Sequence, residues 1–204
     1  MAVNLYKLLL MSEQELINAL KQGQESAYKT VVNNYQLNVY NTCIGIVNNE
    51  DAAKDISQDV FIELFNSINK FRGDSKLSTW LYRIAINKSL NHVRDNKKYS
   101  LTKSIQRFFN SKEKEQNIEI TDLTAINPIE VFEQQEHSSA LKKAIEKLPT
   151  NQKTAFILKN YDDLSYKEIT EIMNISMSAV ESLIHRAKKN LQKELANYYR
   201  NNFK

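Results

Sequence analysis

Between Met177 and Lys189 the chain reads MSAVESLIHRAKK, a stretch whose polar residues are suited to recognition rather than to bond making. At helical spacing Val180, Leu183 or Ile184, Ala187 and Leu191 form an inward stripe. Glu181, Ser182, His185, Arg186, Lys188 and Lys189 are then left outward, with Ser178 at the start of the same face. Arg186 can bond a guanine through two parallel N–H donors, or grip a phosphate. Ser182 can reach a base edge or a phosphate. Glu181 repels phosphate but can accept from a cytosine amino group. An ordinary amphipathic helix with a solvated basic face shows the same pattern, so the preceding residues must decide. They do so with Ser165 and Glu168, spaced as a capping box, followed by a break at Asn174 and a second possible cap at Ser176 or Ser178. Two short helices, a tight turn and a basic second helix form a helix-turn-helix pattern.

A second group lies in FRGDSKLSTWLYRIAINKSLNHVRDNKK, residues 71–98. Arg83, Asn87 and Arg94 share a side of one helix, with Lys88, Lys97 and Lys98 nearby. Leu77, Leu81, Ile84 and Ala85 face inward, and Trp80 and Tyr82 stand beside the basic side. Rings interleaved with cations suit single-stranded DNA, because bases stack on the rings while cations hold phosphates. The loop Phe71, Arg72, Gly73, Asp74, Ser75 at the helix start can shape a pocket for an unstacked base. Trp80 wholly inside the core is the equally simple alternative.

A third group is acidic. In AAKDISQDVFIELFNSI, residues 52–68, Asp55, Asp59 and Glu63 recur every four residues, with Gln58 alongside. Such a stripe repels DNA and attracts a basic protein surface, although solvated acidic faces are common. Nothing catalytic accompanies these groups. His92, His137 and His185 are scattered without ligand spacing, and neither a Ser/His/Asp set nor a phosphate-cradling glycine loop occurs. No cofactor or metal is expected.

The elements that must position these residues are helices. The 204 residues include only 3 Gly and 2 Pro, too few for a turn-rich β fold. The formal charge of +4 permits nucleic-acid binding without establishing it. A single cysteine, Cys43, excludes an internal disulfide framework and a cysteine zinc site, and fits a reducing, cytoplasmic setting. No segment approaches 18 apolar residues, so no membrane insertion is expected. LYKLLLM, residues 5–11, is too short to span and lacks a cleavage site, and Met11 is an alternative start.

The pattern predicts helices over 12–22, 24–48, 50–69 and 77–97. A polar linker without a core pattern follows over 98–127, where Phe108 and Phe109 can form a short helix. Further helices are predicted from Pro128 to Leu148 and over 151–160, 165–173 and 177–200. In the third helix Ile56, Val60, Phe61, Leu64, Phe65 and Ile68 are assigned to one face. The fold class is therefore all-α: a four-helix domain over 12–97 and a helix-turn-helix domain over 128–204. Extended, the linker reaches at most roughly 100 Å, about three turns of duplex.

These residues resemble the bacterial RNA polymerase sigma factors of the extracytoplasmic-function group. AAKDISQDVFIELF is similar to their polymerase-binding segment. FRGDSKLSTWLYRIAINKSLNHVR is similar to their promoter-melting, −10-reading segment. LPTNQKTAFILKNYDDLSYKEITEIMNISMSAVESLIHRAKKNL is similar to their −35-reading domain. The resemblance covers about 12–97 and 135–195. It implies a protein that binds core RNA polymerase, directs it to promoters and catalyses nothing itself. It assigns Asp55, Gln58, Asp59 and Glu63 to the polymerase dock. Phe71 to Ser75 with Trp80, Arg83, Asn87 and Arg94 fall to the −10 element. Ser178, Glu181, Ser182, His185, Arg186 and Lys189 fall to the −35 element. It also implies an anti-sigma factor as a partner. At Glu181 and Leu183 many relatives carry basic residues, and at His185 often an aromatic one, so the resemblance does not carry their −35 base preference over to this chain. The rival from the residues alone is a stand-alone helix-turn-helix regulator. Such a protein needs no polymerase dock and, as a dimer, reads paired half-sites. A nucleic-acid enzyme would need metal-binding carboxylates or a nucleophile with its base.

Overall fold

The computed structural model describes residues 12–109 and 139–202. Helices α1 (Glu13–Lys21), α2 (Glu25–Val47), α3 (Glu50–Ser67) and α4 (Leu77–Phe109) form one module, with a short 3-10 turn Ile68–Lys70 after α3. A helical segment over 139–146 is followed by α5 (Thr150–Asn160), α6 (Tyr166–Met173) and α7 (Met177–Asn202). No strand occurs among the described residues, as the all-α reading requires.

Local chemistry sets the helix ends. Ser12 and Glu15 close a capping box on α1. Asn48 ends α2 in the left-handed conformation, φ 52°, and Asn49 accepts from the Ala52 N–H to start α3. The Glu13 carboxylate accepts from the Leu77 N–H, so α1 caps the helix that carries the predicted −10 residues. That helix runs past the expected end at residue 97 to Phe109, because nothing between them is Gly or Pro. Most of the expected linker, and the expected helix start at Pro128, lie outside the described residues, as does LYKLLLM.

The first core joins Leu20, Val31, Val60, Leu64, Leu77 and Leu81, all at most 1% exposed. Full burial of each such side chain contributes about 1.5–3 kcal/mol. Phe65 does not join them: it is 60% exposed and stacks on Tyr28 with ring centroids 4.9 Å apart. The inward positions of α3 are Ala53, Ile56, Val60, Leu64 and Ser67. A single helix face cannot hold Phe65 as well.

The second core contains Ala155, Ile157, Leu158, Ile169, Val180 and Ile184, and it takes in Ile46, Tyr82 and Ile86 from the first module. The modules are therefore packed together here, not spread along a tether. The reason is local: α2 and α4 carry apolar residues that their own core does not cover. Gly45 allows the approach, since a Cβ there would lie 2.9 Å from Ile157 Cδ1.

Candidate functional site

Three surfaces carry the predicted residues. On α7 the inward stripe is Val180, Ile184, Ala187 and Leu191, which resolves the Leu183/Ile184 alternative in favour of Ile184. Ser178, Glu181, Ser182, His185, Arg186 and Lys189 are all exposed along the opposite side. The turn that aims this helix has the chemistry read from the sequence. Glu168 N–H donates to Ser165 Oγ, and the Glu168 carboxylate accepts from Ser165 N–H, 3.0 Å. Asn174 ends α6 at φ 53°, and Ser176 Oγ, not Ser178, accepts from the Ala179 N–H to start α7. Those hydrogen bonds hold the Glu168 carboxyl below its ordinary range.

On α3, Asp55, Gln58, Asp59 and Glu63 are exposed together. Beside them runs an apolar surface that the sequence reading missed. Ile62 is 56% exposed, Phe65 60% and Leu37 66%. Two adjoining grooves between α2 and α3 share Val32 and Phe61; one adds Leu37 and Tyr40, the other Ile62 and Phe65. The signal was present: Phe61, Ile62, Leu64 and Phe65 put apolar residues around more of α3 than one core can cover.

The −10 candidates divide. Arg72, Gly73 and Asp74 are exposed, Ser75 partly so, and Gly73 turns the loop at φ 81°. Asn87 and Arg94 are exposed, with Arg94 against Asp95 at 3.2 Å. Phe71 is a core residue, 6% exposed, so its ring is not free to stack on a base. It backs Trp80, ring centroids 5.1 Å apart, and Trp80 keeps part of its surface in solvent. Trp80 is thus neither wholly in the core nor wholly in solvent: it packs on Phe71 and is partly buried. Tyr82 is not beside the basic side. It is 5% exposed, its hydroxyl accepts from Asn38, and burial pushes it up to about 12. Arg83 turns to the second module, where its Nε and Nη2 both donate to the Glu171 carbonyl, at 3.2 and 2.7 Å.

The same seam holds Thr42 against Asp162, Lys76 against Glu168 and the Lys153 ammonium on the Ile46 carbonyl. No group of His, Cys, Asp and Glu that could hold a metal ion occurs among the described residues. None of their helices is long and apolar enough to cross a membrane.

An all-helical chain with an exposed acidic face in one module and a helix-turn-helix in the other is the architecture of a sigma-70-type initiation factor. Residues 31–99 match the family described as Sigma-70 region 2, and residues 138–191 match Sigma-70, region 4. The chain is 32% identical to the ECF RNA polymerase sigma factor SigW of Bacillus subtilis, covering 91% of this chain and 97% of that one. It is 32% identical to the ECF RNA polymerase sigma-E factor of Haemophilus influenzae, covering 91% and 96%. Among solved structures, CnrH in complex with the cytosolic domain of CnrY shares the fold at TM-score 0.63 and 19% identity, covering 89% of this chain and 96% of that one. The sigma factor RpoE of Bartonella quintana, in complex with the anti-sigma factor NepR, does so at TM-score 0.59 and 20% identity, covering 83% and 96%. The chain belongs to the extracytoplasmic-function group of RNA polymerase sigma factors.

Substituting Arg186→Ala is expected to cost about 1–3 kcal/mol of promoter affinity if the guanidinium reads a base. Binding assays on scrambled −35 duplexes distinguish the cases: a base reader loses discrimination, a phosphate contact loses affinity equally on every sequence.

Proposed function

We propose that this sigma factor docks on core RNA polymerase through Asp55, Gln58, Asp59 and Glu63 together with the neighbouring apolar groove. It reads the −35 element through α7 and opens the −10 element with the Phe71–Ser75 loop and α4. The carrying observation is that one chain presents an acidic, apolar-flanked face and a basic helix-turn-helix face on separate exposed surfaces. An acidic face repels DNA but complements a basic protein surface, and Ile62 and Phe65 supply the apolar contact that charges alone lack. In this reading residues 12–97 form the polymerase and −10 module, 98–127 the connection, whose first part to Phe109 continues α4, and 128–204 the −35 module. Trp80 stacks an unpaired base on the surface it keeps in solvent, with Phe71 holding it from behind. Asn87 and Arg94 lie along the strand, and Arg83 joins them once it leaves the seam.

The polymerase supplies the chemistry, and the protein acts in the cytoplasm where polymerase and promoters are. NepR is an anti-sigma factor in complex with its sigma factor, and an anti-sigma protein is the corresponding partner here. The test is a pull-down of the purified chain with bacterial core polymerase, followed by run-off transcription on sheared genomic DNA of its host. Binding with discrete new start sites is the expected result, and aligned start sites give both promoter elements. Tight duplex binding by the protein alone, without polymerase binding, would replace this reading by a stand-alone regulator.

A further inference from the structure

The seam contains a hydroxyl with more acceptors than protons. Thr42 Oγ1 lies 3.0 Å from the Asn38 carbonyl and 2.9 Å from Asp162 Oδ2. A threonine hydroxyl has one proton to donate. An ionised Asp162 has none, so that single proton would be shared between the two acceptors. Both contacts are satisfied at once when Asp162 carries a proton and donates it to Thr42, while Thr42 donates to the Asn38 carbonyl. The other carboxyl oxygen, Oδ1, is buried with no hydrogen-bond partner among the described residues.

The surroundings favour the same state. From α2 the titratable groups facing Asp162 are Tyr35 and Cys43; from α4, Tyr82; from α6, Glu168. None is a cation. The cations nearby are engaged: Lys76 on Glu168, Arg83 on the Glu171 carbonyl, and Lys159 of α5 on Asp163. Burial lifts Asp162 from 3.8 to about 6, against the opposing hydrogen bond from Thr42.

We propose that the seam between the two modules is a latch that closes on a protonated Asp162 and loosens as that carboxyl ionises, freeing Arg83. The sign follows from linkage. The closed state holds the proton more tightly than the open one, so its stabilisation is complete below 3.8 and is lost as pH rises through about 6. Going from pH 7.5 to 5 therefore raises the closed-to-open ratio roughly tenfold. Only the consequence for Arg83 at the −10 element rests on the proposed function; the latch itself is a statement about distance.

The experiment measures energy transfer between dyes at Asn66→Cys and Lys193→Cys, both exposed sites in different modules, in the full chain. Cys43 is fully buried with its thiol pushed up to about 11, so it stays unlabelled. Transfer is expected to fall as pH rises from 5 to 7.5. Asp162→Asn, whose amide donates to Thr42 at every pH, is expected to stay closed with that transition abolished, whatever His92, His137 and His185 contribute. Thr42→Val, which keeps the volume but removes the hydroxyl, is expected to open more readily at every pH. Constant transfer in the wild type, or an unchanged pH profile in Asp162→Asn, would overturn the latch. If the latch holds while promoter opening is unaffected by Arg83→Ala, the −10 assignment of Arg83 fails and the latch stands.

Discussion

Asp55→Lys combined with Asp59→Lys is expected to weaken binding to core RNA polymerase on the order of a hundredfold, with folding intact. Both side chains are exposed on α3, and among the described residues neither makes an ion pair with a lysine or arginine that its loss would orphan. Reversal therefore costs the fold little but sets like charges against a basic partner. The check is a competition binding assay at two salt concentrations, with circular dichroism on the same samples. The loss should shrink as salt rises, because exposed charges are screened beyond about 10 Å at 0.1 M. Unchanged affinity in the folded double mutant would place the dock elsewhere. Phe65→Ala makes the matching apolar test: at 60% exposure it should leave stability nearly unchanged while reducing polymerase binding.

Ile157→Ala is expected to cost about 2–5 kcal/mol of stability. The side chain is fully buried in the second core and also fills the space above Gly45. Its truncation leaves a cavity lined from two modules, and a helix bearing a glycine on the other side cannot collapse into it with a side chain of its own. In a small helical module such a loss corresponds to a fall of about 10 °C or more in Tm, measurable by calorimetry. A fall of only a degree or two would mean that Ile157 is far more weakly packed than its burial implies. Ile157→Val, which removes one methylene, should cost about 0.5–1.5 kcal/mol and keep the seam closed.

The two mutants sample different layers of information. The acidic stripe was legible because a four-residue period alone puts Asp55, Asp59 and Glu63 on one side of a helix. The exposed polar face of α7 was legible for the same reason, and so was its turn, since Ser165 and Glu168 make their capping contacts within three residues. The apolar groove beside the stripe was not read, because periodicity counts apolar residues without saying how many a core has room for. Phe65 was assigned inward on its neighbours' pattern and stands outside. Phe71, in turn, was offered to DNA and lies in the core, because nothing in the loop sequence tells that α4 and its Trp80 close over it.

What the chain determines by itself is therefore everything carried by contacts within about one helical turn: helix identity, caps, the left-handed asparagines, and the sidedness of charge. The sigma family membership follows from those motifs in order. What only tertiary structure decided is the fate of residues whose partners lie far along the chain. Tyr82, Ile86 and Ile46 belong to a core that the second module completes. Arg83 ends on the Glu171 carbonyl, and Asp162 ends in a part-buried contact with Thr42, 120 residues away in sequence. The physical reason is that burial is a property of two surfaces meeting. A local pattern specifies one of the surfaces, and only the packed molecule supplies the other.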